Sequence, residues 1–193
     1  MRTQPVSTGR VLGLRWPDPR DVVQSPGVIP EMSVLDLCCG DGYFTAPLAK
    51  LVGNVYALDL DPLMIELAKA EVARLHTSVL KWICADARDA PQHITESVDY
   101  VLMANTFHGV PDQSGLMEAI RAMIRPNGLF GVVNWHALPR ELTIVLNQPR
   151  GSKSDLRMSP EALQAVVEPT GFQTIRVQEL PPYHYAAIFG GLD

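Results

Sequence analysis

Apolar and polar positions along this chain fall into short blocks whose lengths and spacing separate strands from helices. Ser33 to Leu37 (SVLDL) is a short apolar run containing a carboxylate, and Gly40 and Gly42 follow before the helical-looking stretch from Tyr43 to Leu51. That order predicts a strand, a tight turn and a helix. Val55 to Leu58 (VYAL) is the next apolar run, Pro62 stands where the first turn of a helix tolerates proline, and Leu63 to Leu75 keeps helical spacing. Val79 to Cys84, Val98 to Met103 (VDYVLM) and Leu129 to Asn134 (LFGVVN) predict three further strands, with a helix over Gly115 to Ile124 that Pro126, Asn127 and Gly128 end sharply.

Regular alternation of strands and helices requires parallel pairing through right-handed crossovers, because each helix must return over the sheet. After Asn134 the pattern changes. Residues 137–158 are rich in Pro, Arg, Ser and Lys, a helix is predicted over Pro160 to Val167, and Thr174 to Val177 with Tyr185 to Phe189 read as an antiparallel pair joined near Pro181 and Pro182. The expected fold is α/β: a doubly wound, Rossmann-like, mostly parallel seven-stranded sheet with an antiparallel C-terminal strand and helices on both faces. Ligands in such sheets bind beyond the carboxyl ends of the strands, where the strand order reverses.

At 193 residues, with 47% hydrophobic and 19% charged residues, the chain has the length and composition of one packed domain. Residues 1–30 are expected to form an N-terminal cap segment, 31–135 a ligand-binding core, and 136–193 a substrate-side loop with the last strand pair. A net charge of −5 offers no field for a phosphate backbone, so nucleic acid is not an expected partner. Met1 to Asp21 lacks the apolar stretch of a signal peptide, and no segment has about 20 uninterrupted apolar residues. A cytoplasmic protein without membrane insertion is therefore expected. Cys38, Cys39 and Cys84 give neither a disulfide framework nor paired metal-ligand spacing, so reduced thiols and no metal are expected.

The chemistry concentrates in Asp36-Leu37-Cys38-Cys39-Gly40-Asp41-Gly42, where a carboxylate near the end of the first strand precedes glycines that let backbone approach a ligand closely. Asp59 ends the second strand about 20 residues on, the distance at which an acidic residue meets the ribose hydroxyls of an adenosine ligand. Asp86, in Cys84-Ala85-Asp86-Ala87, ends the third and offers an acceptor to the exocyclic amine of adenine. Singly, each carboxylate is explained by helix capping or a solvated turn. Three of them at the tips of three successive strands are not.

From about Val34 to Val133 the chain resembles the class I S-adenosylmethionine-dependent methyltransferases, and within them the small-molecule branch that includes ubiquinone/menaquinone-biosynthesis-like enzymes. VLDLCCGDGYFT resembles that family's first motif, VYALDLDPLMIELAKA its second and CADA its third, while NTFHGVPD and IRPNGLFGVVN resemble its fourth-strand exit and late turn. The resemblance implies that Asp36 and the backbone of Cys38, Cys39, Gly40 and Gly42 hold the methionine part of S-adenosylmethionine. Asp59 would bind the ribose, Leu60 and Met64 flank the adenine, Asp86 and Ala87 meet its edge, and Asn105 and Thr106 line the pocket near the sulfonium. Two positions depart from the family: Cys38 stands where its first glycine usually does, and Asn127 replaces a glycine in the late turn.

The implied activity is methyl transfer to a small-molecule acceptor, leaving S-adenosylhomocysteine. The alternatives are a catalytically inactive cofactor-binding or regulatory relative, and an NAD(P)-dependent oxidoreductase on the same fold. The glycine turn lacks the G-x-G-x-x-G spacing that a pyrophosphate needs, and it sets Asp36 and Asp41 where phosphates would lie. If the acceptor carries a proton, His108 after the fourth strand and His136 after the fifth are the candidate bases, with His184 a third. Trp135 is a candidate aromatic wall, or a core residue. Residues 137–158, with Arg140, Arg150, Lys153 and Arg157, are a candidate lid for an anionic substrate. Trp16, Asp18, Arg20 and Asp21 are placed to close over the cofactor, and a homodimer is compatible with the sequence.

Overall fold

A computed structural model describes residues 19–24 and 27–192. The chain runs α1 (Pro19–Gln24), β1 (Ser33–Leu37), α2 (Thr45–Leu51), β2 (Asn54–Asp59), α3 (Pro62–Arg74), β3 (Lys81–Cys84), α4 (Ala90–His93) and β4 (Val98–Ala104). It continues through α5 (Gln113–Met123), β5 (Ile124–Trp135), a short hairpin of β6 (Ile144–Val145) and β7 (Gln148–Pro149), α6 (Pro160–Val167), β8 (Phe172–Leu180) and β9 (His184–Gly191). Trp16 and Asp18, named above as closing residues, lie outside the described part. No helix among the described residues is long and apolar enough to cross a membrane.

Seven strands form one sheet in the order β3-β2-β1-β4-β5-β9-β8. β1 pairs in parallel with β2 and β4, β2 with β3, and β4 with β5, whereas β9 runs antiparallel to both β5 and β8. The chain moves outward from β1 to β3, returns to β4 on the other side of β1, and continues outward to β5. The order therefore reverses between β1 and β4, and a crevice opens beyond their carboxyl ends.

Alternation along the strands sorts side chains onto two faces. Leu35, Leu37, Val101, Met103, Phe130, Val132, Tyr185 and Phe189 pack on one face with Leu116, Met117 and Ile120 of α5 and Leu163 and Val167 of α6. Val34, Tyr100, Leu102, Val133 and Ile188 pack on the other with Val22 and Val23 of α1 and Leu48 and Ala49 of α2. Helices thus cover both faces, as the pattern predicts. Asp61 caps α3, accepting from the Leu63 N–H at 2.8 Å with Pro62 in the first turn, and Ser159 and Pro160 open α6 in the same way.

The sequence reading does not include α1, α4 or the β6–β7 hairpin, draws β8 shorter than Phe172–Leu180, and misplaces the end of α5. Pro126, Asn127 and Gly128 do not end α5, which stops at Met123; Ile124 is already paired with Val98, and the next pairs are Tyr100 with Leu129. The turn is an insertion within β5. The Asp99 side chain fastens it, taking the Arg125 guanidinium at 2.6 Å and both the backbone N–H and the hydroxyl of Ser33 at 2.7 and 2.8 Å. Asn127 sits at φ 63°, a left-handed conformation that asparagine tolerates better than most non-glycine residues. That is why a glycine is dispensable there.

Candidate active site

The turn after β1 is shaped by backbone strain and close contact. Cys38, Gly40 and Gly42 have φ of 64°, 55° and 82°, so the chain reverses through three left-handed residues. Cys38 occupies that region at a cost of about 1–2 kcal/mol. At Gly42 the helix behind leaves no room: an added Cβ would lie 2.7 Å from the Cα of Ala68 in α3. At Gly40 the same atom would meet nothing within 4 Å, so this residue borders open space.

Two neighbouring carboxylates hold the turn. Asp59 Oδ2 accepts from the Gly40 N–H at 2.8 Å, and its Oδ1 from the Asp61 N–H at 2.9 Å. Each oxygen keeps a lone pair for a further donor. Asp36, only 2% exposed, accepts from the Thr45 hydroxyl at 2.6 Å. Burial pushes its carboxyl up to about 7, the Thr45 bond draws it back in part, and the Asp59 charge adds to the rise. Asp86 is different. Arg88 donates to both of its oxygens at 2.9 Å, and these hydrogen bonds hold its carboxyl down at about 2.

The three strand-tip carboxylates converge on one place. Burial raises the Cys38 thiol above its ordinary range, and the charges of Asp59, Asp36 and Asp86 raise it further. Cys39, buried, is raised by the same burial and by Asp36 and Asp59. All three cysteines are free thiols. Beside Asp59, Leu60 is 68% exposed and Met64 half-buried, which leaves apolar surface open at the edge of the turn. Ala87 follows Asp86 in a short turn that the Asp86 carboxylate caps.

Across the crevice, Asn105 follows β4 with φ 59°, its N–H bonded to Val133 O at 2.7 Å; its buried Oδ1 has no hydrogen-bond partner. Thr106 donates to Ala104 O at 3.1 Å. His108, half-buried, places Nδ1 2.9 Å from Asn134 Oδ1 at the end of β5. Desolvation lowers its pKa below the ordinary histidine value, partly opposed by that Asn134 bond and reinforced by the Arg157 charge.

The remaining sequence candidates lie elsewhere. His136 is directed to the far edge of the sheet, where Nε2 meets Glu179 Oε2 of β8 at 2.8 Å. That ring nitrogen is therefore committed to a hydrogen bond with Glu179. His184 is buried in β9 against Trp135, ring centroids 4.1 Å apart, and burial pushes its pKa down to about 3. Trp135 is a core residue: Arg157 lies over its ring at 5.1 Å, and a Cβ on Gly151 would come within 2.7 Å of it.

Arg157, 7% exposed, donates to Ser152 O, Leu138 O, Thr143 Oγ1 and Arg150 O at 2.8–3.1 Å. It ties the loop of residues 137–157 to itself and does not present a free cation to a substrate. Thr45, Arg88 and Asn134 were not singled out from the sequence. Thr45 and Arg88 carry no positional signal, but an asparagine in the otherwise apolar run LFGVVNW was one.

Residues 34–128 match a family model described as a methyltransferase domain. A demethylmenaquinone methyltransferase of Staphylococcus aureus (strain MRSA252) is 31% identical over 111 residues, 56% of this chain and 45% of that protein. The chain thus spans about half the length of the curated relatives it matches. Among solved structures, a SAM-dependent methyltransferase from Aquifex aeolicus superposes with a TM-score of 0.76 at 23% identity, covering 91% of this chain and 90% of that one. Magnesium protoporphyrin IX methyltransferase from Synechocystis, with bound SAM, gives a TM-score of 0.64 at 14% identity over 89% and 76% of the two chains. Sequence over the core and fold over the whole sheet agree: residues 34–128 are similar to a methyltransferase domain, and the sheet has the fold of S-adenosylmethionine-dependent methyltransferases.

Proposed function

We propose that this protein transfers the methyl group of S-adenosylmethionine to a small molecule. The observation that carries the reading is the convergence of Asp36, Asp59 and Asp86 on the left-handed turn at the switch point of the sheet. A buried carboxyl raised to about 7 beside a second carboxylate gains from a cation and loses from an anion. This supports a sulfonium and ammonium ligand over the pyrophosphate of a nicotinamide cofactor. The open space at Gly40 and the unpartnered Asn105 Oδ1 are further features that a bound ligand would use.

Asp36 and the Cys38 to Gly42 backbone would hold the methionine part, Asp59 the ribose hydroxyls, Leu60 and Met64 the adenine faces, and Asp86 with Ala87 its edge. Asn105 and Thr106 would border the sulfonium. The bound cofactor supplies an electrophilic methyl group, and the work left to the protein is to align the acceptor behind it and exclude water. A small-molecule acceptor is supported by relatives whose name specifies demethylmenaquinone.

Calorimetric titration with S-adenosylmethionine, S-adenosylhomocysteine and NADH in parallel tests the reading. Binding of the first two alone is expected, and Asp59→Ala in a folded protein should weaken both. A preference for NADH overturns it.

A further inference from the structure

Beyond the carboxyl ends of β4 and β5, and at the amino end of the antiparallel β9, three polar side chains, His108, Asn134 and Tyr185, lie in a row. The Tyr185 hydroxyl donates to Met158 O at 3.1 Å. With its hydrogen committed there, the oxygen has only lone pairs to offer. Asn134, 1% exposed, stands opposite Tyr185 across the β5–β9 pair, and its buried Nδ2 has no hydrogen-bond partner among the described residues. The reverse amide orientation would turn Oδ1 toward those lone pairs. The Asn134 carbonyl oxygen therefore faces His108, and the group within 2.9 Å of it is an Nδ1–H donor.

The consequence falls on the other ring nitrogen. A neutral imidazole with its hydrogen on Nδ1 carries a lone pair on Nε2. His108 Nε2 has no hydrogen-bond partner among the described residues and is not among their buried unsatisfied atoms, which leaves it exposed to solvent beyond the carboxyl end of β4. The ring stands three residues beyond Asn105, on the loop that faces the glycine turn across the switch point.

We propose that His108 is the general base for the methyl acceptor, that Asn134 is the positioning residue fixing its tautomer, and that the acceptor is an unionised O–H, N–H or S–H group. This rests on the methyltransferase reading above. A carboxylate already has the lone pair and no proton to lose, so a base built into the rim has no task with it. With a protic acceptor the step balances. The heteroatom lone pair forms the new bond to the methyl carbon, the C–S bonding pair returns to sulfur and neutralises the sulfonium, and the acceptor proton passes to His108 Nε2 and then to water. Desolvation and the Arg157 charge, the effects that lower the His108 pKa, keep the ring in its basic form at neutral pH; Asn134 and Tyr185 behind it are uncharged. The Arg157 guanidinium is tied to four oxygens of its own loop and does not itself offer a free cation to an anionic acceptor.

The test is nitrogen-detected NMR of the histidine rings in the whole protein saturated with S-adenosylhomocysteine, after calorimetry has established that this ligand binds. His108 is expected to show a protonated Nδ1 and an unprotonated Nε2 at neutral pH, and Asn134→Leu to lose that preference. Phenol and aniline should shift the His108 Nε2 resonance, and benzoate at the same concentration should not. A protonated Nε2 in the wild-type protein, a tautomer unchanged in folded Asn134→Leu, or a benzoate response equal to that of phenol each overturns the proposal. Failure of S-adenosylhomocysteine to bind would instead refute the methyltransferase reading on which it stands.

Discussion

If Asp36 faces a cationic ligand, binding must be linked to its ionisation. In the unfolded chain this carboxyl titrates near 3.8 and in the folded protein at about 7. Between those values the native state holds a proton that the unfolded chain has released, so this group's contribution to stability is full below 3.8 and is lost as pH rises through about 7. The difference is about three pH units at about 1.36 kcal/mol each, on the order of 4 kcal/mol. A sulfonium or ammonium held nearby favours the carboxylate and drives the proton off. At about pH 6 roughly one Asp36 in eleven is ionised, and at about pH 8 roughly ten in eleven, so S-adenosylmethionine affinity should rise about ten-fold across that interval. Calorimetry in two buffers of different ionisation enthalpy should detect close to one proton released per ligand at the lower pH. Asp36→Asn should bind more weakly at about pH 8 and lose the pH dependence. Equal affinities at both pH values with no proton release, or the same slope in Asp36→Asn, would refute the assignment.

Other consequences follow from the same geometry. Gly42→Ala places a Cβ against the backbone of Ala68 at φ 82°, and should cost about 3 kcal/mol in urea unfolding; a loss below about 1 kcal/mol would mean that α3 does not pack there. Because burial and three carboxylates raise the Cys38 thiol, and burial with Asp36 and Asp59 raises Cys39, iodoacetamide at mildly alkaline pH should label the exposed Cys84 and spare the other two. Mass spectrometry reads this directly, and prior labelling of Cys38 contradicts it. Arg157→Met removes four charge-assisted donors from the loop of residues 137–157, and should lower stability by about 3 kcal/mol and open that loop to limited proteolysis while cofactor affinity persists. Unchanged cleavage would show that the loop is held by other contacts.

Much of the frame was legible because its signals are local. The run SVLDL matches β1 residue for residue, Pro160 to Val167 matches α6, and the two prolines at 181 and 182 mark the turn between β8 and β9. The glycine turn and the strand-tip carboxylates were equally visible, since a reversal through left-handed residues restricts which side chains can occupy it. The end of α5 was misplaced for a physical reason. Pro126-Asn127-Gly128 is a genuine chain reversal, but Val98 pairs with Ile124 before it, and a pairing between strands 26 residues apart leaves no mark on either segment alone.

The sequence by itself determined the order of the main strands and helices, the parallel sheet and the position of the glycine turn after β1, since each follows from periodicity, turn chemistry and short-range spacing. It also supplied the candidate histidines without separating them. Only the tertiary structure did that: His136 is drawn to Glu179 at the far edge, His184 is sealed beneath Trp135, and His108 is set against Asn134 from a different strand. The same long-range packing turned Arg157 from a substrate-side cation into the tie of its own loop, and pushed Asp36 up to about 7. A side chain's protonation and its partners depend on what surrounds it in space, and residues brought together from distant strands impose that environment without any fixed spacing along the chain.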